Sequence, residues 1–224
     1  QLRQYMTDHK APRPYGQGIF SPLPRRERNP SEAEIHSHSF PRLRSGFSAK
    51  GDKTTLVFLG TYPPRECGIA TFTKDLLTDC QKLLGSRVAC QVAAFNISAL
   101  DTYEYPAEVA WEIDQHNTQQ YRDLATNLNS DPDVIGVILQ HEYGIFGGED
   151  GENILDFMEE VAKPVVVTLH TILPHPSEHL KLVTQKIISR ADQVVVLTQS
   201  SQEMLVALYP QAQGKISVIL HGIH

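Results

Sequence analysis

Six runs of strand length recur along the chain: Thr54–Leu59, Val88–Phe95, Val134–Leu139, Val165–Leu169, Val194–Leu197 and Ile216–Leu220. Most are β-branched and apolar at both odd and even positions, the pattern of strands in a parallel sheet covered by helices on each face. A weaker strand is expected near Val109–Ile113. Helical periodicity fills the gaps. Ile69, Phe72, Leu76, Leu77, Cys80, Leu83 and Leu84 form one stripe, and Ile154, Leu155, Met158, Val161 and Ala162 a second. Leu180, Val183, Ile187 and Ile188 form a third, and Met204, Leu205 and Leu208 a shorter fourth. Tyr121, Leu124, Ala125 and Leu128 mark another. Ser200 with Glu203 three residues on reads as a capping box, and Pro176-Ser177 opens the third helix. Strand–helix alternation of this kind predicts an α/β fold, a Rossmann-like doubly wound parallel sheet over residues 53–224.

The 224 residues are 41% hydrophobic and 21% charged, which excludes a wholly disordered chain and a disulfide mini-protein. Charge is divided unevenly. Residues 1–52 carry nine Lys+Arg against five Asp+Glu and six of the fourteen prolines, a balance of +4; residues 53–224 carry eleven against twenty-one, a balance of −10. The first segment has the cluster Arg25-Arg26-Glu27-Arg28 and no apolar period, so it is predicted to be a disordered basic, Pro-rich tail. Its prolines and Glu27, Glu32 and Glu34 argue against a transit peptide. The acidic body argues against nucleic acid as the main partner. No apolar run reaches the ~18 residues of a membrane span. Cys67, Cys80 and Cys90 include no C-x-x-C and cannot all pair, the usage of a reduced, cytoplasmic protein. Position 1 is not Met, which reads as a processed chain or a fragment.

In open α/β sheets the ligand crevice lies beyond the carboxyl ends of the strands. Loops of unusual chemistry fall at these ends: 60–68, 140–148, 170–176 and 221–224. Gly68 stands just before the first helical stripe, where the N–H groups of Gly68, Ile69 and Ala70 could face an anion and Arg65 could add charge. Equally, Gly68 could serve only a tight turn stiffened by Pro63-Pro64. The G-x-G-x-x-G and P-loop fingerprints are both missing. Gly144, Gly147, Gly148 and Gly151, with Glu142, Glu149 and Asp150, describe either a loop able to fold over a hydroxyl-rich ligand or a long surface connection. His170 ends an apolar strand, where a polar residue is costly unless it faces the crevice; a structural and a functional role are both open. His141, Glu142, His170, His175 and His179 are metal-ligand types. Their spacing gives no H-x-x-x-H or H-E-x-x-H on one clear helix, and no metal site is expected. No G-x-S-x-G supports a serine hydrolase. Cys67 precedes a helix start and reads as a packed thiol rather than a nucleophile, while Cys80 and Cys90 read as core.

From Thr54 to His224 the chain resembles the N-terminal domain of a family 4 glycosyltransferase of the GT-B fold. Four segments carry the resemblance, each at a strand end: Thr61-Tyr62-Pro63-Pro64-Arg65-Glu66-Cys67-Gly68-Ile69-Ala70-Thr71-Phe72; Gln140-His141-Glu142-Tyr143-Gly144-Ile145-Phe146-Gly147-Gly148; Thr168-Leu169-His170-Thr171; and Val218-Ile219-Leu220-His221-Gly222-Ile223. The resemblance implies transfer of a sugar from a nucleotide-diphosphate sugar to an acceptor hydroxyl with retention, without a metal or a separate cofactor. Two Rossmann-like domains would close on the substrates, the first mainly on the acceptor and the second on the donor. Carried over by position, Gly68, with Ile69 and Arg65, would contact the donor diphosphate, and His170 would lie beside the transferred sugar as the catalytic residue. His141, Glu142 and Tyr143 would line the acceptor side, and His221-Gly222 would stand at the hinge on the donor side. Many relatives have Gly-Gly where this chain has Cys67-Gly68. The chain ends four residues after its last predicted strand, where the second domain would begin. The expectation is therefore an acceptor-side half that lacks the donor-binding domain and is inactive alone. A sugar-nucleotide epimerase of the same architecture and a non-catalytic ligand-binding module are the alternatives.

Overall fold

The computed structural model describes residues 54–98 and 103–221; the predicted tail, and Gly222, Ile223 and His224, lie outside the described residues. Seven strands form one sheet: β1 (Thr54–Gly60), β2 (Val88–Asn96), β3 (Val109–Asp114), β4 (Val134–His141), β5 (Val165–Leu169), β6 (Gln193–Val196) and β7 (Ile216–Val218). Their order is β3-β2-β1-β4-β5-β6-β7 and every neighbouring pair is parallel. The helices are α1 (Gly68–Leu84), α2 (Thr118–Ser130), α3 (Ile154–Glu160), α4 (Glu178–Arg190) and α5 (Gln199–Leu208). The chain winds outward from β1 to β3, then crosses back to β4 and winds the other way. This is the predicted doubly wound sheet, and its direction reverses between β1 and β4, where a crevice opens at the strand carboxyl ends. No helix among the described residues is long and apolar enough to cross a membrane.

Successive residues of β1 go to opposite faces, as the pleat requires. Val57 and Leu59 join Phe95, Tyr121, Leu139, Phe146, Phe157 and Ile187 in the larger core, while Phe58 joins Tyr62, Leu77, Cys90, Val92 and Ala94 in the smaller one that includes α1. Cys90 is core, as expected, and burial pushes its thiol up to about 11.

The buried face of α1 differs from the predicted stripe. Ala70, Thr73 and Leu77 are buried, whereas Leu83 is 85% exposed and Phe72 and Leu76 are partly exposed. The cause is close approach: a Cβ on Gly60 would lie 3.3 Å from Thr73 Oγ1 and 3.1 Å from Gln140 Cβ. Only small residues fit where the helix backbone sits on the sheet. The Thr73 hydroxyl is satisfied locally, donating to Ile69 O at 2.7 Å.

Other boundaries also move. β4 runs two residues further than predicted and takes in Gln140 and His141, both fully buried. The α5 cap is Thr198 rather than Ser200, since Thr198 Oγ1 accepts from Ser201 N at 3.0 Å. Ser177 caps α4 as expected, accepting from Leu180 N at 3.1 Å. The glycine-rich segment after β4 is built into the core. Ile145 and Phe146 are buried, and Tyr121 Oη donates to Phe146 O at 2.6 Å. Gly147 and Gly148 have φ of 67° and 71°, and a Cβ on Gly147 would collide with the Gln115 carbonyl oxygen. These two glycines serve backbone packing.

Candidate functional site

The loop after β1 is fixed by its own side chains, among them Arg65, which the sequence had marked for a ligand's charge. Tyr62 is buried and its hydroxyl donates to Glu108 Oε1 at 2.9 Å. Arg65 donates from Nη1 to Phe95 O at 2.7 Å, docking the guanidinium at the end of β2. Cys67 is the cap of α1: its Sγ accepts from Ala70 N at 3.4 Å and lies 3.0 Å from Thr61 Oγ1. The thiol is thereby committed to the helix start.

Gly68 is different. It is exposed, it is not among the glycines with positive φ, and a Cβ there would meet nothing within 4 Å. Neither the turn nor internal packing requires a glycine at this position. Ala70 N and Thr71 N both donate to Cys67 O, at 3.1 and 3.3 Å. The N–H groups of Gly68 and Ile69 donate to no described residue, so two open donors stand at the positive end of a seventeen-residue helix. Of the three amides marked in the sequence, Ala70 is thus already taken.

His170 follows β5 directly, and its main-chain N donates to His141 O at 3.1 Å. Its Nε2 lies 2.9 Å from Gln140 Oε1, and its ring meets Phe72 edge-on with centroids 4.8 Å apart. Phe72 also contacts His221, centroid to centroid 5.5 Å. Burial first, and then the neighbouring His221, lower the His170 pKa to about 4, so the ring is neutral at ordinary pH. Phe72 and His221 in turn line an open cleft of about 480 Å³. Gly68, Thr71, Phe72, Asp75, Leu76 and Asp79 of α1 form one wall, and Leu197, Ile219, Leu220 and His221 form the other. Gly222 lies outside the described residues.

The three residues expected on the acceptor side, His141, Glu142 and Tyr143, are not equivalent. His141 is fully buried, edge-on to Tyr143 and stacked on Phe146, and neither ring nitrogen has a hydrogen-bond partner among the described residues. Burial, with a smaller effect of His170, depresses its pKa to about 3. Tyr143 shares a hydrogen bond with Thr184 of α4 at 2.8 Å, and burial raises its pKa to about 12. Glu142 is half-buried, accepting from Tyr143 N at 3.0 Å and from Thr171 Oγ1 at 2.6 Å. Of the three, His141 is walled off, the Tyr143 hydroxyl is committed to a helix, and Glu142 sits half-exposed just beyond the end of β4.

His179 forms a separate cluster with the segment after β4. Its Nδ1 lies 3.1 Å from Asp150 Oδ2 and its Nε2 lies 3.1 Å from Glu152 Oε2. The hydrogen bond to Asp150 is the leading cause of its raised pKa. Glu149, Asp150 and His179 bring ligand atoms within 4.8 Å of one another, a donor set a divalent cation could use. Both ring nitrogens are already engaged by carboxylates, the arrangement of an imidazolium.

Three residues of this region were not singled out in the sequence: Gln140, Phe72 and Thr171. Gln140 carried a usable signal, a polar side chain continuing an apolar strand, the same signal that marked His170. Phe72 was hidden in the predicted core stripe.

No protein-family model and no curated protein matches the chain. Solved structures similar to the chain include an alpha-glucosyltransferase in complex with UDP and a 13-mer DNA containing an HMU base, with TM-score 0.48 and 11% identity, covering 70% of this chain and 40% of that one. A second complex of an alpha-glucosyltransferase with UDP, with a 13-mer DNA containing a central A:G mismatch, has TM-score 0.43 and 14% identity, covering 65% and 37%. Homoserine dehydrogenase from S. aureus has TM-score 0.34 and 10% identity, covering 64% and 32%. The chain thus spans about two fifths of the length of these glucosyltransferase chains.

Proposed function

We propose that residues 53–224 form the acceptor-side, Rossmann-like half of a GT-B, family 4-like glycosyltransferase, which moves a sugar with retention from a nucleotide-diphosphate sugar to a hydroxyl acceptor. The observation that carries this reading is Gly68, a glycine the fold itself does not need. It stands with two open N–H donors at the start of α1, on a cleft that Phe72 and His221 also line. A leaving diphosphate is stabilised by donors fixed in advance, and open amides at a helix N-terminus are such donors. His170, neutral and touching Phe72, lies beside the transferred sugar, and Glu142 faces the acceptor. Neither step calls on a metal or a further cofactor.

The acidic balance of the body and the docking of Arg65 on a backbone carbonyl leave little positive charge on this side for a diphosphate. Most of the donor's charge is therefore met by a second domain, and the 224-residue chain alone turns over no sugar. The test is a transfer assay with radiolabelled UDP- and GDP-sugars and a panel of carbohydrate acceptors. The expected result is no product above background. Robust transfer by this chain would overturn its reading as a half-enzyme, and release of an epimerised sugar without an acceptor would overturn transfer itself.

A further inference from the structure

We infer that Gln140 is a positioning residue for His170: its amide oxygen holds the imidazole as the Nε2–H tautomer and leaves the Nδ1 lone pair free as a hydrogen-bond acceptor. Gln140 is the penultimate residue of β4 and is fully buried, a costly place for an amide. The β4–β5 register sets Gln140 opposite Thr168, and His170 follows two residues on, so both polar side chains belong to one face of the sheet. Gly60 makes the room, because a Cβ there would come within 3.1 Å of Gln140 Cβ. The imidazole is then held from three sides. Its main chain is bonded to His141 O, its ring plane is set by Phe72, and its Nε2 lies 2.9 Å from Gln140 Oε1. With the proton on Nε2, Nδ1 is an acceptor that bonds to no described residue.

A neutral acceptor nitrogen accepts a hydrogen bond from a hydroxyl and offers no attraction to an anion. His170 is thereby matched to a hydroxyl-bearing part of the substrate, with the anionic part left to the α1 N-terminus. That last step rests on the function proposed above; the tautomer and its dependence on Gln140 do not. The Gln140 Nε2 group has no described partner, so the amide could be turned, and turning it would place the proton on Nδ1 instead.

The test uses the 224-residue chain labelled with ¹⁵N-histidine. Two-bond ¹H–¹⁵N spectra of wild type should show His170 as the Nε2–H tautomer with a protected ring N–H. Gln140→Met, of similar length but without the acceptor, should speed exchange of that proton by about tenfold, the loss of one hydrogen bond of about 1.4 kcal/mol. Gln140→Glu, which keeps an acceptor oxygen, should restore protection. An Nδ1–H tautomer in wild type, or protection unchanged in a folded Gln140→Met, would overturn the assignment. Should the Met variant fail to melt cooperatively, the wild-type tautomer and the Glu variant still decide. Sugar transfer is not part of this readout, so failure of the proposed function and failure of this role are seen separately.

Discussion

Replacing Gly68 by alanine separates what the fold needs from what a ligand needs. The backbone at Gly68 is outside the left-handed region, and the added methyl would meet nothing within 4 Å. Under those conditions Gly→Ala stabilises by about 0.4–1 kcal/mol, chiefly through the unfolded chain. In a domain of this size that raises Tm by roughly 1–4 °C. The same methyl stands beside the two open N–H donors, where a diphosphate must approach. Losing one hydrogen bond to a charged group costs about 1.5–3 kcal/mol, a weakening of roughly tenfold or more. The assay is a pair: thermal unfolding by circular dichroism, and titration of UDP and GDP by calorimetry. Higher Tm with weaker nucleotide binding is expected. A fall in Tm would mean that the fold requires this glycine, and unchanged nucleotide affinity would mean that no anion approaches it; either result refutes the reasoning.

Gly147→Ala should do the opposite, because φ is 67° and the Cβ collides with Gln115 O; a loss of roughly 2–4 kcal/mol is expected in urea unfolding. His141→Phe should raise stability at pH 7 by about 1 kcal/mol, since it removes a buried imidazole with no described partner. Its acid response should change as well. His141 is depressed to about 3 in the fold, so its contribution is present above the unfolded value near 6.5 and is lost at up to about 1.4 kcal/mol per pH unit as pH falls toward 3. The phenylalanine variant should therefore lose stability less steeply over that range in melts from pH 7 to pH 4. His179 behaves in reverse: its pKa is raised by Asp150 and Glu152, so its contribution is complete below about 6.5 and disappears as pH rises through its folded value. His179→Gln should lower Tm at pH 6 and leave it unchanged at pH 9.

The sheet was legible because its strands are apolar on both parities and alternate with helical stripes, the pattern of a covered parallel sheet, and β1, β4 and β5 start where the pattern starts. The α1 face was not, because hydrophobic periodicity weighs large residues, whereas a helix pressed onto β1 buries the small ones, Ala70 and Thr73. Phe72 and Leu76 are thereby left to line the cleft. The end of β4 was misplaced for a related reason: Gln140 and His141 look like loop residues, but each continues the strand with its side chain buried. Around the cleft, loop positions could be read from strand ends: Gly68 and Phe72 line it, and His170 touches Phe72. Which polar groups were already committed could not be read. Arg65 on Phe95 O and Tyr143 on Thr184 are pairings between segments that only the fold brings together.

Whether the start of α1 receives a nucleotide sugar is decided by a backbone amide titration of the ¹⁵N-labelled chain with a UDP- or GDP-sugar. Gly68 and Ile69 should shift first, the His170 ring signals should shift with them, and no sugar should be transferred. Shifts centred on any other face, or none at either amide at saturating nucleotide sugar, would contradict the proposed function.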